Sequence, residues 1–185
     1  MKTLRGVLIC AAALLCFVSC TQSLPPLISF AHFSPPVKQS FTPTTNTSIV
    51  YGRFATGPDF AFGNELALRV RNDETKREYL IHCRDKDSVS AIMVEPGQYR
   101  VVGFVATFVD RRTAGRRTFT NTPSFQVPSN SATYLGDFSG YAKVGGLTQT
   151  WGIAGLTNNS VATTREFRQK YPNLAPLSTV SVFER

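Results

Sequence analysis

The chain has 185 residues, 20 basic against 12 acidic, for a formal net charge of +8. A single domain is expected, because a chain of about 150 residues buries roughly 68–70% of its unfolded surface and needs neither disulfides nor a structural metal. Four cysteines, at 10, 16, 20 and 83, and two histidines, at 32 and 82, are too few and too scattered for a disulfide framework or a zinc site.

Lys2 and Arg5 open the chain, and Gly6 to Val18 follow without a charged or amide side chain before Ser19 and Cys20. This is the charged, apolar and small-residue layout of an export signal. Its apolar run reaches about 20 Å as a helix, short of the roughly 30 Å hydrocarbon core, and no later segment is apolar enough to span. Phe17-Val18-Ser19-Cys20 resembles the lipobox of bacterial lipoproteins, with Phe17 where Leu is usual. The resemblance implies cleavage after Ser19 and a thioether-linked diacylglycerol on Cys20. Residues 1–19 are therefore read as a lipoprotein signal peptide and Cys20 as the membrane anchor, where more than one acyl chain is needed for stable attachment. Losing Lys2 and Arg5 lowers the formal charge from +8 to +6. Cys10 and Cys16 leave with the signal, so Cys83 is the remaining free thiol. Export also removes nucleic acid from the partners. Thr21 and Gln22 lack the Asp that commonly retains lipoproteins at the inner membrane, which implies outer-membrane sorting in a two-membrane cell, on either its periplasmic or its surface face.

Residues 20–48 read as a tether, rich in Ser, Thr and Pro with Pro25-Pro26, Pro35-Pro36 and Pro43 spaced through it. Leu24, Leu27, Ile28, Phe30 and Phe33 exceed what a spacer needs and are candidates to dock as an added edge strand. From 49 to 185 the punctuation is that of an all-β fold. Leu66, Leu68 and Val70 alternate with Ala67, Arg69 and Arg71, and Asn72 to Thr75 turn the chain into a strand carrying Tyr79, Ile81 and Cys83. Val89 to Val94 precede a turn at Pro96-Gly97. Tyr99 to Phe108 form the longest apolar run and read as a central strand. Asp110 to Arg117 read as a hairpin tip around Gly115, leading into Thr118 to Val127. Ala132 to Tyr141, Gln149 to Ile153 and Thr179 to Phe183 supply further strands. One helix is predicted from about Ser160 to Tyr171, capped by Asn159 or Ser160, with Val161, Thr164, Phe167 and Tyr171 near one face and Pro172 ending it.

These elements predict a mainly β fold, a two-sheet antiparallel β-sandwich of transthyretin or immunoglobulin type with one late α-helix. Pro96-Gly97-Gln98-Tyr99, Tyr134-Leu135-Gly136-Asp137 and Tyr171-Pro172-Asn173-Leu174 together resemble a group of uncharacterised bacterial lipoproteins whose domain is prealbumin-like or carboxypeptidase-regulatory-like. The similarity covers roughly Ile49 to Leu174. It implies the sandwich and the envelope location, and no catalytic residue.

No catalytic set stands out in the residues themselves. His82 and Cys83 are strand neighbours pointing to opposite faces, so they cannot share a metal or act as base and nucleophile. The turn Arg84-Asp85-Lys86-Asp87 lacks the oxygen spacing and the bidentate Glu of a calcium loop. Gly140 to Gly146 lacks a Gly-Lys-Ser/Thr ending and is no phosphate loop. The carboxylates are scattered beside Arg and Lys, with no pair placed for glycosidase work. No cofactor is implied. The candidate contact is Arg111, Arg112, Arg116 and Arg117, whose guanidiniums could fork onto phosphate or carboxylate groups of an anionic lipid, a glycan or an acidic envelope protein. The expected function is that of a lipid-anchored, non-catalytic binding module. The alternative is a structural subunit of an envelope or secretion complex, as in the transthyretin-like type VI secretion lipoprotein. An enzyme would instead require a polar triad, for which Asp137, Tyr141 and Trp151 are the residues to watch.

Overall fold

The computed structural model describes residues 34–56, 65–83, 89–107, 114–145 and 148–183, with the backbone alone at 65, 107, 114–116, 142–145 and 148–151. Cys20 and the leader, residues 24–33 with His32, the charged turn at 84–87, and Arg111 and Arg112 lie outside the described residues.

Two five-stranded sheets face each other. Sheet I holds β1 (Ser48–Thr56), β4 (Val89–Val94), β8 (Ser131–Gly145), β9 (Thr148–Thr157) and β10 (Ser178–Ser181), in the order β10-β8-β1-β4 with β9 also on β8. Sheet II holds β2 (Glu65–Asn72), β3 (Glu78–Cys83), β5 (Gly97–Thr107), β6 (Ala114–Thr118) and β7 (Ser124–Val127), in the order β3-β2-β5-β6 with β7 also on β5. The helix α1 (Ser160–Lys170) packs on the outer face of sheet I, and a 3₁₀ turn follows at Pro172–Leu174. The chain is thus a mainly β, two-sheet sandwich with one late helix, as the strand and turn pattern predicts. Two pairings depart from the antiparallel rule: β8 runs parallel to both β1 and β10.

Period-two alternation sets the core between the sheets. Leu66, Leu68 and Val70 point inward and meet Val50 and Phe54 of β1 and Phe138 of β8. Residues on the other side of sheet I form a second core, where Ile49, Tyr51 and Tyr134 pack against Phe167 and Tyr171. Tyr51 stacks on Phe167 with ring centroids 4.1 Å apart. Because sheet I is covered on both faces, β1 reads as a near-continuous buried run without alternation, which is the signature of a doubly covered strand.

A bulge in β8 decides what the helix meets. Tyr51 pairs with Tyr134 but Arg53 pairs with Asp137, so the chain of β8 carries one extra residue there. Gly136 supplies it with φ +123°, and a side chain at Gly52 opposite would come within 2.3 Å of the Gly136 carbonyl oxygen. The insertion reverses the facing of everything beyond it. Tyr134 and Asp137, three residues apart, therefore share the helix side, while Leu135 and Phe138 share the inner core.

Three local features differ from the sequence expectation. Val161 is 85% exposed, and Thr163 takes the inward position with Phe167 because its hydroxyl reaches Asp137. The stretch 118–127 is two strands, broken at Phe119–Pro123, where Asn121 has φ +58° and the Thr122 hydroxyl bonds the Val101 carbonyl at 2.8 Å. Gly115 is not a hairpin tip: it pairs with Ala106 inside β6, and Thr107 pairs with Ala114, so the connection is confined to residues 108–113. Pairing with the long strand β5 extends β6 back through Ala114.

Residues 34–47, within the stretch read as a tether, lie along the open side of the sandwich. The Ser34 amide bonds the Leu80 carbonyl of β3 at 3.2 Å, and the Val37 amide bonds the Ala91 carbonyl of β4 at 2.8 Å. Val37 is buried in the second core. This segment therefore ties the edges of the two sheets together and covers part of the β4 edge.

Candidate functional site

Of the arginines singled out by sequence, the described residues include two. Arg116 and Arg117 belong to β6, opposite Val105 and Phe104, and Arg117 is exposed. Arg111 and Arg112 fall in the connection outside the described residues. Cys83 is buried and His82 half-buried on alternate sides of β3, as strand geometry requires. Burial pushes the Cys83 thiol up to about 12, so it is inert at neutral pH.

The most connected polar cluster surrounds Asp137, in a cleft of about 450 Å³ between sheet I and the N-terminal turn of α1. The bulge delivers the carboxylate there, and the helix brings the donors. Tyr134 donates its hydroxyl to Oδ1 at 2.9 Å. Thr163 bonds both carboxylate oxygens at 3.0 Å, and the Asn159 side-chain amide donates to Oδ2 at 3.1 Å. The Arg53 guanidinium stands 3.8 Å from Oδ2 and is also paired with Glu166. Glu166 in turn accepts the Val89 amide at 3.2 Å, and Lys170 donates to the Val89 carbonyl at 2.6 Å. Tyr134 accepts the Asn159 amide at 3.0 Å. Burial raises the Tyr134 phenol to about 12, reinforced by the neighbouring Asp137 charge, so it stays protonated as a donor.

Asn159 is the helix N-cap residue the sequence nominates, but its side chain caps nothing. It is turned onto Asp137, and the Ser160 amide is met by the Asn158 side chain at 3.2 Å instead. At the other end, Arg168 donates to the carbonyls of Leu174 and Leu177 at 3.0 and 2.8 Å, which places a cation beside the helix C-terminus.

A second polar cleft, of about 350 Å³, lies on the outer face of sheet II, lined by Arg69, Arg71, Arg100 and Glu78 and by the 118–122 segment.

No family model, curated protein or solved structure matches the chain.

Function therefore has to be argued from what these side chains can do. Around Asp137 each oxygen has donors, each described donor has its acceptor, and the phenol is held neutral. Such a ring fixes the helix on the sheet. Of the residues named for a triad, Asp137 is held by Tyr134, Thr163 and Asn159, while the side chain of Trp151 lies outside the described set. Among the described residues no group of three His, Cys, Asp or Glu could hold a metal, and no helix is long and apolar enough to cross a membrane. The Asp137 ring was hidden from sequence reasoning because its members come from β1, β8 and α1, over a hundred positions apart for Arg53 and Glu166. The Tyr-Leu-Gly-Asp motif was its one visible sign, since a Gly inside a strand pattern marks a bulge.

Proposed function

We propose that the protein is a lipid-anchored, non-catalytic module of the bacterial envelope, held at the outer membrane through Cys20, and that its sandwich binds an envelope protein, a glycan or an anionic lipid. In this reading it belongs with the prealbumin-like lipoproteins that its turn and strand motifs resemble. The observation that carries it is the leader, in which Lys2 and Arg5 precede thirteen uncharged residues and Ser19-Cys20. The Asp137 ring supports the non-catalytic half, because its acid and hydroxyl groups are engaged in holding α1 to sheet I. The thirteen residues between Cys20 and Ser34 span at most about 50 Å when extended, and the described chain begins at Ser34, beside the β3 and β4 edges.

The test is expression of the full chain and of Cys20→Ser in a Gram-negative bacterium. Mass spectrometry of the mature chain should find residues 1–19 absent and diacylglycerol on Cys20, and the wild type should enter the detergent phase of a Triton X-114 partition while Cys20→Ser stays aqueous. Retention of Met1, or equal partition of the two chains, would remove the anchor from this reading. Chemical crosslinking in intact envelopes addresses its other half: one stoichiometric protein partner would favour the structural-subunit alternative over a free ligand-binder.

A further inference from the structure

The outer face of sheet II carries charge in an unusual state. Arg69 and Arg71 are two residues apart on β2 and share that face, and the register places Arg100 of β5 opposite Arg71. Two of the three are committed along one edge of the guanidinium. Arg69 holds Glu78 through Nε at 3.2 Å and Nη2 at 2.6 Å. Arg100 holds Asp73 through Nε at 2.7 Å and Nη2 at 2.8 Å. Arg69 is nevertheless 3% exposed, and its Nη1 is buried with no hydrogen-bond partner. Nε of Arg71 is buried and unpartnered as well, and Arg71 has no ion pair among the described residues. Buried donors on charged groups are costly to leave unmade, and in folded proteins they are nearly always met by protein, water or ligand. Both of these belong to side chains lining one cleft.

We propose that this cleft is an oxyanion site that takes a phosphate group. Among the described residues three guanidiniums line it against the one carboxylate of Glu78, and with Asp73 behind Arg100 their balance is one positive charge, that of Arg71. Thr118 and Thr120 add hydroxyls and Asn121 an amide on the opposite wall. A carboxylate offers two oxygens in one plane, so meeting Arg69, Arg71 and the hydroxyl wall at once asks more of it than of a tetrahedral anion. A tetrahedral anion offers oxygens in several directions and can accept from Arg69, Arg71 and the hydroxyl wall together. The cleft, at about 350 Å³, also exceeds the roughly 30 Å³ share of one water. A phosphate ester is therefore accommodated as well as the bare ion. These residues are separate from Cys20 and from Arg111–Arg117, so failure here would leave the anchoring untouched.

The experiment uses the full chain in detergent, with Arg71→Gln, the charge-conserving Arg71→Lys, and Arg165→Gln as a control on the exposed side of α1. Thermal melts at constant ionic strength are titrated with inorganic phosphate, glycerol phosphate and acetate, and binding is measured to phosphatidylcholine vesicles with and without phosphatidic acid. Phosphate or its ester should raise the wild-type Tm, Arg71→Gln should shift the half-maximal concentration at least about tenfold, and Arg165→Gln should leave it unchanged. Arg71→Lys, which keeps the charge but removes the buried Nε, should also weaken binding. Arg71-dependent binding to phosphatidic acid vesicles but to neither soluble phosphate would identify a lipid headgroup as the source, and binding to the soluble forms a free or sugar-borne phosphate. A response equal in wild type and Arg71→Gln, a response to acetate as strong as to phosphate, or no response in any arm would overturn the proposal.

Discussion

Removing the carboxylate at Asp137 separates a structural ring from a catalytic one. In Asp137→Ala the Thr163 hydroxyl loses its acceptor and the Tyr134 hydroxyl keeps only the Thr157 carbonyl at 3.4 Å, and both residues are fully buried. Stranding the Thr163 donor costs about 1–3 kcal/mol and losing one of the two Tyr134 bonds about 0.5–1.5 kcal/mol, so together about 1.5–4.5 kcal/mol. The exposed Asn159 amide turns to water and adds little. For a domain of this size each kcal/mol lowers Tm by about 2–4 °C, which gives a fall of about 3–18 °C. Asp137→Asn retains one oxygen for Tyr134 and Thr163 but sets an amide donor against the Asn159 amide and the Arg53 guanidinium, so a smaller loss of about 1–2 kcal/mol is expected. The assay is thermal melting by circular dichroism at neutral pH, with Tyr134→Phe and the double variant completing a cycle. Coupling of about 0.5–3 kcal/mol is expected, because Tyr134→Phe and Asp137→Ala remove the two ends of the same hydrogen bond. Active-site carboxylates carry strain that their removal relieves. A Tm for Asp137→Ala equal to or above wild type would therefore refute the account of the ring and favour the enzyme reading.

Two further outcomes follow from titrating groups. The Arg100 guanidinium holds the Asp73 carboxyl below its ordinary value, first through their hydrogen bonds. Its stabilising effect is fully present above about pH 4 and lost as pH falls through the depressed folded value, so the stability gap between wild type and Arg100→Gln should close on the acid side of about pH 4, and a gap independent of pH down to acid unfolding would contradict the pairing. In a chain with Cys10, Cys16 and Cys20 changed to Ser, Cys83 should react with a disulfide reagent at pH 8 only as fast as the protein unfolds, since burial pushes its thiol up to about 12; prompt labelling of the native chain would place it outside the core.

What could be read in advance depended on whether a signal was local. The hairpin of β2 and β3 was legible because Leu66, Leu68 and Val70 mark one face and Asn72 turns the chain, its side-chain oxygen accepting the Glu74 and Thr75 amides at 2.9 and 3.0 Å. Pro96-Gly97 with Tyr99 was equally plain, and the Tyr99 hydroxyl does reach back to the Glu95 carbonyl at 2.7 Å. β1 was not singled out, since burial on both faces erases alternation and Gly52 interrupts the run. The helix was placed within a residue, but its face was misread: Val161 suggested an apolar stripe, whereas Thr163 turns inward to meet Asp137. No local pattern announces that preference, because the carboxylate it serves is 26 residues away and faces the helix only by virtue of the bulge.

The same device operates in both sheets, and it explains why charge collects where it does. In β5 the register passes from Gly103 opposite Arg69 to Val101 opposite Val70, so Val102 is an extra residue, as Gly136 is in β8. Without it, strict alternation from Phe104 would turn Arg100 into the core and Tyr99 out of it. With it, Tyr99 fills the core and Arg100 joins Arg69 and Arg71 outside. The inserted residue in β8 and the one in β5 thus each deliver a charged side chain to an outer face, but the two faces receive it differently. Sheet I is covered by α1, whose Thr163 and Asn159 meet Asp137, so that charge is consumed in holding the fold together. Across sheet II the 118–122 segment lies over Arg69 and Arg71 without supplying acceptors to Arg69 Nη1 or Arg71 Nε. A fold that closes one of its two bulge-made charge clusters and leaves the other short of anions directs the search for a ligand to sheet II.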